Sequence, residues 1–388
     1  MEILYHHRTQ LGDAQGVHVH EIIKAFRELG HQVRVVGLVN YQSLNSKSAG
    51  TGLWSLLRKK VPHFVYDLMS LGYNVLGVFM LARSVIHERP DFIYERYALN
   101  NFSGVVVSRL WKIPIIVEVN APLYVEQAEL GQLAIKWVAR ILENWICSHA
   151  TQALAVSGVL KEILVSQGVP PRKITVMPNG IDFVNFNPDV SGVEVRRQYG
   201  LKDSVVIGFV GWFRPWHGVE MLLDILQDLL SANKNVKFLM IGDGPIYDEL
   251  VQKAKGLGIW DAVRFTGSLP HEKIPSHIAA MDIAVQPRAP RYACPMKVLE
   301  YMGMGKCIVA PFQPNICEVL EDKITGFLFL PEDKNNLRQV MLTLINNKKL
   351  RDETGMRAFS AVQSRKLSWK GNAEKVIILV SQGKENRS

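Results

Sequence analysis

Short runs of β-branched and apolar residues alternate along this chain with longer stretches whose apolar positions recur at three- and four-residue intervals. "EILYH" (2–6) reads as a strand, and "VHVHEIIKAFRELG" (17–30) reads as a helix that stops on Gly30. "QVRVVGL" (32–38), "DFIY" (91–94), "PIIVEV" (114–119), "QALAV" (152–156) and "KITVM" (173–177) continue the strand series, with helical patterns between them. The segment "PNGIDFVNFNPDVSG" (178–192) is dense in Pro, Gly, Asn and Asp and reads as a linker. The alternation then restarts with strands at 205–211, 236–242, 263–267, 282–287 and 307–310, and helices at 219–230, 246–255 and 271–280. Strand–helix alternation predicts parallel sheets covered on both faces, so the fold class is α/β with two doubly wound, Rossmann-like domains facing across a cleft. We place the first domain at 1–185 and the second at 186–367, and in such sheets ligands bind beyond the carboxyl ends of the strands.

One stretch after a strand of the second half carries chemistry. "CPMKVLEYMGMGK" (294–306) sets Lys297 and Glu300 three apart, on one helix face. Pro295 suits the first helical position, leaving the N–H groups of Met296, Lys297 and Val298 as a positive helix end. With Arg288 and Arg291 nearby, that end suits a phosphate, and a carboxylate one turn further suits a diol such as a ribose. A plain surface ion pair has the same spacing, and spacing alone does not separate the two.

At 388 residues the chain is long enough for two cores, and its 48% hydrophobic and 21% charged residues are ordinary for a globular protein. The net charge of +9 is spread, with 18 Lys+Arg against 14 Asp+Glu up to residue 187 and 27 against 22 after it. That suits an anionic small ligand or an acidic membrane surface. No basic stripe with interleaved aromatics points to nucleic acid. Cys147, Cys294, Cys307 and Cys317 form no C-x-x-C pair, which argues against zinc and disulfide frameworks. "MEILYHH" lacks the pattern of a signal peptide, and a cytoplasmic location is expected. "LMSLGYNVLGVFMLA" (68–82) is shorter than a spanning helix needs and reads as a buried helix. Arg58, Lys59 and Lys60 beside Leu and Trp in "LWSLLRKKV" (53–61) suit anionic headgroups, or simply an exposed face, and point to a peripheral position at the inner face of the membrane.

Taken in order, "GVHVHEIIKAFRELGHQVRVV", "VSGVLKEILVSQGVPPRKITVMPNGID", "FVGWFRPWHGVEMLL", "MIGDGP", "VRFTGSLPHEKIPSHIAAMDIAVQP", "PMKVLEYMGMGKCIVA" and "ITGFLFLPED" resemble the retaining, nucleotide-sugar-dependent GT-B glycosyltransferases of family 4 (glycosyl transferase group 1), in the branch that makes bacterial polysaccharides and glycolipids. The resemblance runs over nearly the whole chain. It implies a UDP- or GDP-sugar donor, a saccharide or lipid-linked acceptor, and no cofactor. It assigns Glu300 to the ribose hydroxyls, the backbone at Met296, Lys297 and Val298 to the distal phosphate and sugar, and Gly16 to a close approach of the first domain to the donor. It implies that the segment after "FTG" (265–267) faces the nucleobase and that the last helix (368–388) crosses back onto the first domain.

Two departures stand out. The family often has Glu eight residues before the ribose Glu, where this chain has Tyr292, and Arg and Lys after the "FVG" glycine, where it has Trp212 and His217. Arg214, supported by His217, is the candidate replacement for the phosphate cation; a solvated arginine and a structural histidine are the plainer accounts. Trp212 and Trp216 suit stacking on a sugar as well as packing. No Asp-x-Asp pair occurs, so no metal is expected, and helix ends with Arg and Lys must meet the charge on the leaving diphosphate. On the acceptor side, "IIVEVNAPLYVEQAEL" (115–130) offers Glu118, Asn120 and Glu126; Glu118 and Asn120 are the catalytic candidates, and a carboxylate paired inside the core is the alternative. A sugar-nucleotide epimerase of the same architecture and a silent assembly partner are the other functional readings. A hydride-transfer enzyme is poorly supported, since "GDAQGV" lacks the G-x-G-x-x-G fingerprint.

Overall fold

Two six-stranded sheets, parallel throughout, organise the computed structural model, which describes residues 1–8, 14–37 and 62–385. The first sheet holds β1 (Glu2–His7), β2 (Gln32–Gly37), β3 (Phe92–Arg96), β4 (Ile115–Val119), β5 (Gln152–Ala155) and β6 (Ile174–Val176), in the order β2-β1-β3-β4-β5-β6. The second holds β7 (Val205–Val210), β8 (Val236–Ile241), β9 (Val263–Phe265), β10 (Ile283–Val285), β11 (Cys307–Pro311) and β12 (Phe327–Phe329), in the order β12-β11-β10-β7-β8-β9. β3, β4 and β11 are buried along their whole length, as strands covered by helices on both faces must be.

In the second sheet the chain runs outward from β7 through β8 and β9, then returns to pair β10 with the other edge of β7. The loops after β7 and β10 therefore diverge and leave a crevice at the strands' carboxyl ends. The loop after β8 supports that crevice through backbone contacts. Gly242, at φ +131°, lies so close to the loop after β7 that a Cβ would meet Gly211 O at 1.9 Å. Phe213 N–H donates to Asp243 O at 2.6 Å, locking the two loops together.

The chain divides into Met1–Pro178 with Trp369–Ser388, and Asn179–Ser368. The boundary thus falls after Pro178 rather than at 185, because Asn179 Nδ2 donates to Cys294 O (2.7 Å) and Ile181 bridges Ser368, both within the second unit. The helix Trp369–Glu385 belongs to the first unit: Asn372 Nδ2 donates to Pro178 O at 2.8 Å, and Trp369 meets the His18 ring edge-on at 4.6 Å. β12 and the helices Lys334–Ile345 and Lys348–Ser364, absent from the pattern read along the chain, complete the second unit.

The apolar stretch 68–82 corrects the expectation of a buried helix. It lies in a helix, His63–His87, whose polar residues face inward: Asp67 and Asn74 are 3% exposed, while Phe64, Leu68, Leu76 and Phe79 are half exposed or nearly so. The inward polar groups are satisfied. Asp67 Oδ2 accepts from Ala134 N and Ile135 N at 2.9 and 3.0 Å, and Asn74 joins Asn100 O and Phe102 N. Arg58, Lys59 and Lys60 lie outside the described residues.

Candidate functional site

The helix Met296–Gly303 begins beside the crevice of the second sheet. Pro295 is its N-cap, in extended conformation, rather than its first residue, and supplies no side-chain cap. The N–H of Val298 donates to Pro295 O at 3.1 Å, so that group is used internally and the Val298 side chain is fully buried. Met296 and Lys297 carry the first-turn N–H groups without a side-chain cap. The far end closes on Gly305 at φ +61°, with Gly305 N–H donating to Met302 O and Lys306 N–H to Tyr301 O, both at 3.0 Å. Buried Tyr301 pins the helix to the sheet: its hydroxyl accepts from Val210 N, at the end of β7, at 2.9 Å. The preceding loop is held by the Asn315 amide, which donates to Pro290 O (3.0 Å) and Ala293 O (2.7 Å), and by Gln286 Nε2, which donates to Arg288 O at 2.6 Å.

Lys297 reaches back over the end of β7. Its ammonium sits 4.8 Å from the centre of the Phe209 ring, and a Cβ on Gly211 would meet Nζ at 2.9 Å. Burial pulls its pKa down to about 8, with the Glu300 charge pulling the other way. Glu300 is part-buried one turn further along the same helix. The loop after β7 adds the rest. His217 Nδ1 donates to Trp212 O at 2.6 Å, and burial, with Lys297 and Arg214, lowers its pKa to about 3. It is therefore neutral at physiological pH. The Arg214 guanidinium lies 4.8 Å from the centre of the Trp216 ring, and Trp212 and Trp216 are both about half exposed. Of the cations expected at a phosphate site, Arg288 is otherwise engaged: Nε donates to Glu332 Oε1 at 2.6 Å, Nη2 pairs with Glu332 Oε2, and Glu220 lies 3.9 Å away. Arg291 is exposed and Tyr292 is part-buried.

In the first unit, Glu118 and Asn120 come together at the carboxyl end of β4, inside a hydrogen-bonded network. Glu118 Oε1 accepts from Arg96 Nη1 (3.1 Å), His18 Nε2 (3.0 Å) and Asn120 Nδ2 (2.5 Å), and Oε2 accepts from Tyr94 Oη (2.7 Å). Arg96 Nη1 also lies 3.1 Å from His18 Nδ1, drawing the helix and the strand onto the same carboxylate. Burial alone would raise the Glu118 pKa; His18, Arg96 and the bonds from Asn120 and Tyr94 outweigh it and hold the group ionised, below its ordinary value. This geometry makes Glu118 an anchor for three elements. Gly16 lies buried in the first turn of the helix Ala14–Glu28, which starts ahead of the predicted 17.

Glu126 sits on the short helix Leu123–Glu129 and influences Glu143, not Glu118. Fully buried Glu143 accepts from Tyr97 Oη (2.9 Å) and Tyr124 N (3.1 Å), and burial raises its pKa to about 7. A carboxylate whose folded pKa exceeds its unfolded one lowers stability as pH rises from the unfolded value of about 4.5 to about 7. We expect the chain to lose roughly 1–3 kcal/mol across that window, and Glu143→Gln to remove most of this slope. Urea melts at pH 5 and pH 8 measure it, and equal slopes in both proteins would count against the assignment.

The residues that hold these sites together, Tyr301, Asn179, Asn315, His18, Arg96 and Tyr94, were not singled out by motif. One signal was available: β3 ends on Glu95 and Arg96, β4 carries Glu118 in an apolar run, and Arg96 and Glu118 are register partners. The others are single polar side chains whose partners lie far along the chain.

Family comparison bears on the two domains and their fold. Residues 15–184 match the model for Glycosyltransferase Family 4, and residues 204–347 match that for Glycosyl transferases group 1. Alpha-D-kanosaminyltransferase of Streptomyces kanamyceticus is 24% identical over 259 residues, covering 65% of this chain and 66% of that protein. The sulfoquinovosyl transferase SQD2 of Arabidopsis thaliana is 23% identical over 363 residues, 91% of this chain and 68% of that one. The chain thus spans just under two thirds of the first relative and slightly more of the second. Among solved structures, HepE of Anabaena in complex with UDP-glucose superposes with a TM-score of 0.72 at 20% identity, over 98% of this chain and all of that one. With two parallel sheets of doubly wound type and both of these domain models matched in order along it, the chain belongs to the GT-B glycosyltransferases.

Proposed function

We propose that this chain moves a sugar from a UDP- or GDP-sugar to a saccharide or lipid-linked saccharide, with retention at the anomeric carbon, in the synthesis of cell-surface polysaccharide or glycolipid at the cytoplasmic face of a membrane. One observation carries the reading: Lys297 and Glu300 stand on one face of an uncapped helix start, beside the switch point between β7 and β10. In this scheme the amides of Met296 and Lys297 and the Lys297 ammonium meet the diphosphate, with Arg214 as the outer cation. The Glu300 carboxylate accepts hydrogen bonds from two ribose hydroxyls. As the bond from the anomeric carbon to the diphosphate breaks, negative charge collects on the leaving oxygen, where these groups stabilise it without a metal. The acceptor hydroxyl forms the new bond, and its proton passes to the leaving phosphate. No side chain is needed as base, in keeping with a Glu118 already committed to four donors. The UDP-glucose held by the Anabaena protein supports a UDP-sugar donor, and the relatives' names support transfer over isomerisation.

Thermal shift of the purified chain against UDP, GDP and their sugars tests the donor assignment, since a ligand at a hundred times its Kd adds about 2.7 kcal/mol. Affinity is expected to be highest below pH 8 and to fall above it, as Lys297 loses the proton that phosphate binding requires. No stabilisation by any of these nucleotides at millimolar concentration would remove the reading. Conversion of the donor to an isomer without an acceptor would move it to an epimerase.

A further inference from the structure

The helix His63–His87 is inside out. Viewed down its axis, Asp67, Asn74, Gly77, Leu81 and Val85 fall on the buried side. The opposite side carries Phe64, Val65, Leu68, Val75, Leu76, Phe79 and Ile86, exposed by 41–78%. From Phe64 to Ile86 this stripe runs about 33 Å at 1.5 Å per residue, and Arg83 is its one exposed charged residue. Scattered surface apolar side chains are ordinary, but a continuous row of this length marks an interaction surface.

We propose that this face rests on the surface of an anionic lipid bilayer, with the helix lying flat in the headgroup boundary. The helix cannot instead cross the bilayer while folded, because the bonds of Asp67 to Ala134 and Ile135, and of Asn74 to Asn100 and Phe102, fasten its polar side to the rest of the unit. Two neighbouring helices extend the surface. Through Asp67, the start of the helix Lys136–His149 is held alongside, with Trp137 69% and Ile141 57% exposed. At the other end Arg89 Nη2 donates to Trp111 O at 2.9 Å, joining the helix Ser103–Trp111, where Arg109, Leu110 and Lys112 are exposed. Arg83 on the stripe, with Arg89, Arg109 and Lys112 beyond its end, supplies exposed positive charge, while Glu88 lies against Arg34 at 3.4 Å and Asp91 accepts from Glu2 N at 3.0 Å.

Apolar side chains with a tryptophan, rimmed by cations, fit an acyl and anionic-headgroup boundary. A protein partner of this area would be expected to find hydrogen-bonding groups about every 100–200 Å², and the stripe offers the Arg83 guanidinium alone. The inference is independent of the donor assignment, since vesicle binding requires no nucleotide.

Co-sedimentation of the full chain with vesicles of phosphatidylcholine, with and without phosphatidylglycerol, tests it. The protein is expected to pellet with the mixed vesicles, less so at high salt, and Leu76→Ser with Phe79→Ser to weaken pelleting about tenfold or more. Both positions are exposed, so the melting temperature of this variant should match that of the parent, which separates lost docking from lost fold. Protein that stays in the supernatant with both lipids overturns the proposal, as does a variant that pellets like the parent. A dimer split by the same two substitutions would assign the face to a second copy of the chain.

Discussion

Glu300→Ala is expected to lower kcat/KM for the nucleotide sugar about a hundredfold or more while leaving the melting temperature close to that of the parent. A hydrogen bond to a charged group contributes roughly 1.5–3 kcal/mol, and the proposed site places two ribose hydroxyls on this carboxylate. Losing even the smaller sum is worth more than two decades of rate. Stability should change little, because Glu300 is only part-buried on its helix. A second readout separates this role from a generic surface effect. The Glu300 charge helps keep Lys297 protonated, so in the alanine variant the fall in UDP affinity should begin below the parental value of about 8. Parental affinity and an unmoved pH profile would exclude Glu300 from the donor site.

The second large effect falls in the first unit. Glu118→Ala is expected to destabilise it by about 3–5 kcal/mol, since removing one partner of a buried ion pair strands the other. For a unit of this size that is roughly 10 °C in melting temperature. His18, Arg96, Asn120 and Tyr94 would all lose their acceptor, and the elements they belong to would lose their common anchor. Because the folded Glu118 pKa is depressed, its contribution is fully present above about pH 4.5 and is lost as pH falls through the folded value. A catalytic base would behave differently. Glu118→Gln would then melt like the parent and abolish turnover, and that result would reverse the structural assignment.

Most of the fold was legible because parallel strands buried on both faces must be apolar along their length, and the helices between them must repeat every three or four residues. This failed at the end of the second unit. β12 (Phe327–Phe329) is as short as β6, β9 and β10, which the pattern did find, but only the four-residue helix Pro314–Cys317 separates it from β11, so no strand–helix alternation marks it. The Lys297–Glu300 pair was legible for a related reason: two residues three apart on a helix share a face whatever surrounds them. Its setting was not. The sequence could not show that Arg288 is held by Glu332, 44 residues away, or that Val298 spends its amide on Pro295.

The long apolar helix shows the same boundary from the other side. Composition marks 68–82 as apolar but carries no sign of which face the protein covers, and the ordinary assumption is that the apolar face is inside. Asp67 and Asn74 reverse it, because their partners Ala134, Ile135, Asn100 and Phe102 lie 26–68 residues along the chain and meet them only in the fold. The order of residues alone determined two parallel α/β units and the charged pair on the helix at 296–303, since both follow from local periodicity. Which charges are paired, which amides remain to meet a ligand and which face of a helix meets solvent were decided only in three dimensions, because each depends on groups far apart in the chain.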